Sequence, residues 1–366
     1  MKIHPQFDER DTIFAREDLV AGTPEYEEMY RRHPDMQGID DYIRSLPGFG
    51  SRIPYCDWAM LESNGSILQH LGNPDFVDGH PADKKVKISR ERATEKIKNF
   101  ARWLGADLVG ISEVKQDYVY SHRGRIQYSE EPWGEPIRLD HKYAISMGFH
   151  ENIEMVRTGP HHGEVLESLI VYQRTAVASV ILANYIRLMG YPARAHHFTN
   201  YQIQSVPLAV EAGLGELGRC GFLLTKEYGN SIRLSTVTTD IPLVTDSPVD
   251  IGVQDFCTMC KICAEACPSK AIPLGDKIEI RGVMKWKLAT LKCIEYWNKI
   301  GTDCGICIGC CPWSQPESWY HRLASEASSR SHVARLLLLW LYPVLYGKYK
   351  ATPNPDWLDP RMKKSD

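Results

Sequence analysis

The chain has 366 residues, 43% of them hydrophobic and 24% charged, with a formal net charge of −3. That composition excludes a disordered chain, and the slightly acidic balance lacks the basic footprint of a nucleic-acid binder, so no nucleic-acid partner is expected. The length predicts two modules or more rather than one core.

Residues 1–87 are broken by proline and glycine and predict a wrapping segment with short helical pieces such as 23–33. The opening "MKIHPQFDERDTIF" has no apolar core and no twin arginine, so no export signal is expected and a cytoplasmic location follows. A twin-arginine signal already removed would instead mean an exported, membrane-associated protein. Ile97, Phe100 and Leu104 recur at helical spacing and predict an amphipathic helix over 88–105. Short apolar runs at 106–112 and 142–149 predict strands. Residues 164–191 are apolar nearly all round, which predicts a long buried helix that Gly190 terminates. A strand (193–198), a helix entering a glycine-rich turn (206–218) and another strand (231–243) follow. This loose alternation predicts one α/β or α+β domain over 88–250 around a central sheet. A cysteine-rich module (251–325) and an apolar helix with a tail (326–366) complete the chain. "LLLLWLYPVLY" (336–346), flanked by Arg335, Lys348 and Lys350, is too short to span a bilayer. It predicts a helix buried against the body or a partner chain, a homodimer contact included, or one lying on a membrane surface or anchor.

Nine of the eleven cysteines fall between 257 and 311. The stretch "CTMCKICAEACP" places Cys257, Cys260, Cys263 and Cys267 before Pro268, the bacterial ferredoxin run, in which the fourth cysteine serves the other of two 4Fe–4S clusters. The second run, "CGICIGCCPW", offers Cys304, Cys307 and Cys311 before Pro312, one ligand short of four, and Cys293 is the nearby candidate. The spacing therefore predicts Cys257, Cys260, Cys263 and Cys311 at cluster 1, and Cys267, Cys293, Cys304 and Cys307 at cluster 2. Cys310 is the alternative to Cys311. Isolated C-x2-C pairs also bind zinc, but eight cysteines with two Cys-Pro elements favour iron–sulfur. Cys56 and Cys220 read as inert buried thiols. Two clusters carry single electrons and perform no selective chemistry, so the upstream domain should hold the terminal redox centre.

No flavin or nicotinamide fingerprint is evident. "GLGELG" (213–218) fits G-x-G-x-x-G but follows a helix rather than a strand, which removes the dinucleotide reading. A D-x-H-x-x-G cobalamin motif is absent; "DGHPAD" (78–83) has Asp where the final Gly should stand.

The stretch 205–243, the two cysteine runs, "CIEYW" between them and the opening "FDERDTIFAREDLVAGTPEYEEMY" together resemble the reductive dehalogenase family, most closely over 90–325. The resemblance implies an α+β fold: a nitroreductase-like cobalamin-binding domain followed by a bacterial ferredoxin-like two-cluster 4Fe–4S module. It implies a base-off cobalamin without a protein cobalt ligand, which accords with the missing motif. It implies an organohalide substrate and a low-potential electron donor: ferredoxin, flavodoxin or a membrane-linked donor. Carried onto this chain, it makes Tyr172 the proton donor, Arg233 the basic residue that lowers the Tyr172 pKa, and Asn200 a pocket residue. Ser205, Gly213, Gly215, Glu216 and Gly218 fall at the corrinoid, where glycines would let backbone approach. Trp133, Tyr201 and Trp297 are available as apolar pocket walls, although each is also ordinary packing. Epoxyqueuosine reductase shares an "AGLG" turn, but its acid–base Asp corresponds to Gln204 here. A pure electron-transfer subunit would not need so large an upstream domain.

Overall fold

The computed structural model describes residues 5–125, 132–315 and 318–359; the end of the predicted tail, 360–366, lies outside them. Strands β1 (Leu108–Glu113), β2 (Tyr143–His150) and β3 (Ala193–His196), the short hairpin β4 (Glu216–Leu217) and β5 (Leu223–Leu224), and β6 (Ile232–Thr239) succeed one another along the chain. Four of them form a sheet in the order β1-β2-β6-β3, with every pairing antiparallel. Together with its helices, this makes the domain α+β. Successive side chains point to opposite faces. Ile111, Ile145, Met147, Phe149 and Val237 share one face and form the main core with the long helix His162–Leu188. Gly110, Ser112, Ala144, Ser146 and Thr236 share the other, across which the helix Ser205–Glu211 packs.

The long helix is apolar on most sides because it is enclosed on most sides. By length and composition it could cross a bilayer, but Val171, Ala178, Leu182 and Ile186 are buried against the sheet. Its opposite flank is covered by the helix Tyr55–Leu71. Sequence patterning missed that 17-residue helix. Its mixed polar and small residues give no apolar stripe, and it docks mainly through Leu61 and Leu68, two turns apart. The rest of the first 87 residues has a small core of Leu19, Tyr26, Met29 and Tyr30 and a buried ion pair between Arg16 and Asp40 at 2.8 Å.

A second core lies in the cysteine-rich module, where Ile251, Val253, Phe256, Ile272, Trp286 and Trp313 pack around the cysteines. Cys220 and Leu224 of the β4–β5 hairpin belong to that core too, so the upstream domain is wedged into the module. The apolar run 336–346 lies in the helix His332–Tyr346, which contains no buried residue. It rests on the module through Leu339, through the Tyr342 hydroxyl donating to the Cys310 carbonyl (3.1 Å) and through Arg335–Asp255 (2.6 Å). Leu337, Trp340, Val344 and Leu345 face outward. The expectation of burial against the body is therefore not met.

Candidate functional site

Helix ends and tight turns bring the cysteines together. Cys257 lies in the helix Val253–Met259 and Cys260 caps it. Cys263 lies in Ile262–Ala266 and Cys267 caps that helix. Cys293 projects from Thr290–Ile300, and Cys307 from Ile306–Gly309. A small cavity is lined by Cys257, Cys260, Cys263 and Cys311, the four thiols predicted for cluster 1, together with Arg219, Cys220, Leu224, Phe256 and Pro312. Cys310 does not line it. Cys267, Cys293 and Cys304 form a second neighbourhood, close enough that Cys267 raises the Cys293 pKa and Cys293 raises that of Cys304. Among the described residues no three His, Cys, Asp or Glu side chains converge to grip a single ion. Cys257, Cys260, Cys263 and Cys311 instead line a cavity, a placement that suits a multi-iron cluster.

The electrostatics of these thiols fit such a group. Burial pushes Cys257 and Cys260 up, to about 12 and about 11, and Cys293 and Cys304 to about 11 and about 12. Thiolates there need the compensating positive charge that iron supplies. At Cys267, burial is outweighed by hydrogen bonds from the Ser269 hydroxyl and from backbone N–H groups, and its pKa falls below the usual thiol range. Two expectations about the remaining cysteines change. Cys56 is exposed. Cys220 is buried as expected, but its sulfur lies within the thiol ring and accepts from Asn230 Nδ2 at 3.3 Å.

Next to Cys304 lies a buried charge network around Arg233. In the β2–β6 register Arg233 sits opposite Phe149, on the face that meets the core helix. Its Nε donates to Glu151 Oε1 at 2.8 Å. One terminal nitrogen donates to Ser168 Oγ at 2.5 Å and lies 3.6 Å from Glu164 Oε1. Its Cζ stands 5.1 Å from the centre of the Tyr172 ring, and that ring stacks on Phe198 at 4.3 Å. Asp303, the residue before Cys304, lies close enough to Glu164 to add to the rise of its pKa that burial causes. Gly305 has φ +56°, and a Cβ there would come within 2.6 Å of Glu164 Cγ, so only glycine lets the cysteine loop close on this network. One guanidinium thus faces three buried carboxyl groups. Burial pushes Glu151 up to about 7, with Glu164 and Glu167 adding to the rise against the pull of Arg233.

This network changes what was expected of Tyr172. Burial raises its pKa above 10, and although Arg233 pulls it down, Glu151, Asp303 and Glu164 push it up. Arg233 alone does not produce an acidic phenol, because burial outweighs its pull and the carboxylates oppose it. Glu151, Glu164, Ser168 and Asp303 were not anticipated. A signal existed for two of them: Glu164, Ser168 and Tyr172 recur every fourth residue, a polar stripe on an otherwise apolar helix.

The other predicted positions make the following contacts within the fold. Asn200 Oδ1 accepts from Arg194 at 2.9 Å and its Nδ2 donates to the Gly72 carbonyl at 2.8 Å, so its amide is committed away from Tyr172. The glycines of "GLGELG" make room for protein. A Cβ would approach Ser247 O to 2.5 Å from Gly213, Leu224 O to 2.0 Å from Gly215, and Leu224 Cδ1 to 2.2 Å from Gly218. Glu216 accepts from the backbone N–H groups of Ile251 (2.8 Å) and Val253 (3.1 Å), which ties the hairpin to the module. Ser205 is half-buried, with no hydrogen bond to its side chain among the described residues. Trp297 packs on Phe14 at 6.1 Å, Tyr201 on Tyr120 at 5.9 Å, and Trp133 takes the Arg10 guanidinium at 5.2 Å. On the second face of the sheet the hydroxyls of Ser112, Ser146 and Thr236 are buried without a hydrogen-bond partner, a condition that buried polar groups rarely keep. An open groove of ≈ 630 Å³ between the Tyr55–Leu71 helix, the core helix and Trp357 includes neither Tyr172 nor Arg233.

Comparison with known proteins agrees with this geometry. A family model described as a 4Fe-4S dicluster domain matches residues 256–314. A tetrachloroethene reductive dehalogenase of Sulfurospirillum multivorans is 35% identical over 304 residues, 75% of this chain and 60% of that protein. One of Desulfitobacterium hafniense is 32% identical over 318 residues, covering 73% and 56%. A reductive dehalogenase whose structure bears on B12-dependent dehalogenation superposes with a TM-score of 0.72 at 28% identity, over 84% of this chain and 46% of that one. A catabolic reductive dehalogenase, NpRdhA, in complex with 3-bromo-4-hydroxybenzoic acid also gives 0.72, at 29% identity, over 79% and 42%. The chain thus spans little more than half the length of these curated relatives.

Proposed function

The chain belongs to the reductive dehalogenase family, and on that premise we propose that it cleaves a carbon–halogen bond of an organohalide reductively. One substrate molecule, two electrons and one proton give the hydrogen-substituted product and halide. The observation that carries this reading is the junction at Glu164. There the Tyr172–Arg233 network touches the 303–305 loop of the second cysteine run, so a proton donor and an electron path meet in one buried place. The 88–250 domain is read as nitroreductase-like and 251–325 as ferredoxin-like. When bound, a base-off cobalamin supplies a low-potential cobalt centre, and two 4Fe–4S clusters supply single electrons. Ser205 and the unpartnered hydroxyls of Ser112, Ser146 and Thr236 are the groups that would hold the amide-rich edge of such a corrinoid.

The protein's own part is proton handling and placement. Tyr172 holds a proton on its hydroxyl throughout neutral pH, because burial keeps the phenol neutral. Arg233, gripped by Glu151 and Ser168, fixes a positive charge beside that ring and stabilises negative charge developing there. Cys257, Cys260, Cys263 and Cys311 would hold cluster 1, and Cys267, Cys293, Cys304 and Cys307 cluster 2. The donor is read as a reduced ferredoxin or flavodoxin, or a membrane-linked carrier that uses the exposed face of His332–Tyr346.

Anaerobic purification with metal analysis is expected to return one cobalt and eight irons per chain; zinc without cobalt would overturn the reading. A halide-release assay with an artificial low-potential donor, run across haloalkenes, haloalkanes and halophenols, tests the activity, and no halide from any class would refute it. Cys293→Ala is expected to lose about four irons while Cys310→Ala keeps all eight, counted by iron assay and EPR. The opposite pattern would reassign the second run.

A further inference from the structure

On the two-cluster reading above, we propose that Arg219 is the buried counter-charge of cluster 1 and sets its reduction potential. Arg219 lies between β4 and β5, in the upstream domain, and is 2% exposed. Its guanidinium donates only to backbone carbonyls: Nε to Cys257 (2.9 Å), one terminal nitrogen to Pro273 (2.7 Å) and Gly275 (2.9 Å), and the other to Thr258 (3.4 Å). Its Cζ stands 4.7 Å from the Trp286 ring, and Lys277 Nζ stands 4.6 Å from the same ring, adding a second positive charge. No carboxylate lies within 4.0 Å of the Arg219 guanidinium among the described residues. Three other buried arginines are answered by acids, Arg233 by Glu151, Arg16 by Asp40 and Arg194 by Asp78, whereas Arg187, far from the cysteines in the chain, also donates to backbone carbonyls.

A cation so deeply buried and paired with neutral carbonyls alone is costly unless an anion lies near. Arg219 shares its cavity with Cys257, Cys260, Cys263 and Cys311. Four thiolates around a 4Fe–4S cluster leave a net negative charge, and reduction adds one more. A fixed positive charge in a dry, low-dielectric wall favours the reduced state and raises the potential. The charge comes from the upstream domain. Cluster 1 is therefore tuned from outside the cysteine runs, by a charge that the ferredoxin-like run alone does not provide.

Two variants of the full chain, each carrying its clusters, separate charge from hydrogen bonding. Arg219→Gln keeps a donor and removes the charge; Arg219→Lys keeps the charge and loses the fork. Potentials are read by EPR-monitored redox titration, with iron counted per chain. In Arg219→Gln one of the two clusters is expected to become harder to reduce by tenfold or more, about 59 mV for one electron, while the other is unmoved. Arg219→Lys is expected to stay within that margin of the wild type. Equal shifts in both variants, or none in either, would overturn the assignment. Should Arg219→Gln lose iron, Arg219→Lys decides alone, because a shift beyond the margin means that the hydrogen bonds matter and not the charge. Halide release does not enter either readout, so loss of the dehalogenase reading leaves this test intact. Absence of any 4Fe–4S signal in the wild type would remove both.

Discussion

Tyr172→Phe is expected to keep the clusters and the corrinoid and to lose turnover by about 10²–10⁴-fold, the range over which general acid catalysis contributes. The substitution removes one hydroxyl and keeps the ring. The stack on Phe198 at 4.3 Å and the Arg233 contact at 5.1 Å both involve the ring alone, so placement survives and only the proton is lost. The measurement is halide release with an artificial donor, alongside cobalt and iron content. Turnover equal to the wild type would remove Tyr172 from the reaction. The pH profile adds a second check. Burial raises the Tyr172 pKa above its ordinary value of 10.0, so no alkaline loss of activity below about pH 10 should trace to this residue.

Arg233→Met is expected to destabilise the fold by about 3–5 kcal/mol at pH 7, the usual cost of leaving buried charge without its partner. Methionine fills similar space but leaves Glu151, Glu164 and Asp303 with no cation. Chemical denaturation of the cluster-loaded protein measures the loss, and a variant within about 0.5 kcal/mol of the wild type would show the network to be neutral already. The pH dependence has a definite sign. Glu151 titrates at 4.5 when exposed and at about 7 in the fold. Between those values the folded state binds more protons than the unfolded one, so stability falls as pH rises through the window. Arg233→Met removes the pull that holds the Glu151 pKa down, so the fall should extend to higher pH. Adding Glu151→Gln should flatten it.

The cysteine spacing predicted the module because iron–sulfur ligation is local: each run is a few residues of turn and helix end, and the chain itself sets the distances between thiols. Cys293 stands outside both runs, and only the fold brings it near Cys267 and Cys304. The long helix and the sheet strands were legible for a related reason, since apolar runs of those lengths have few places to go except a core. The glycine turn is less legible, because a glycine records only that something comes close. Here the close object is the protein's own Leu224 and Ser247 backbone and side chain. Asn200 is similar, since a buried amide must be satisfied and Arg194 and Gly72 satisfy it.

The sequence by itself determined the redox module, the run of helices and strands ahead of it, and the family resemblance carried by 205–243 and the cysteine runs, all of which depend on residues near one another in the chain. Only the tertiary structure decided the charge balance. Glu151, Glu164, Arg233 and Asp303 are separated by up to 152 positions, and Arg219 by 38 from Cys257. Whether a buried charge is paired, and with what, depends on distances of a few ångströms across folded elements. Tyr172 and Arg233 could be named from the chain. That three carboxyl groups oppose one arginine beside Tyr172, and that another arginine stands unopposed beside the thiols, could be learned only from the fold.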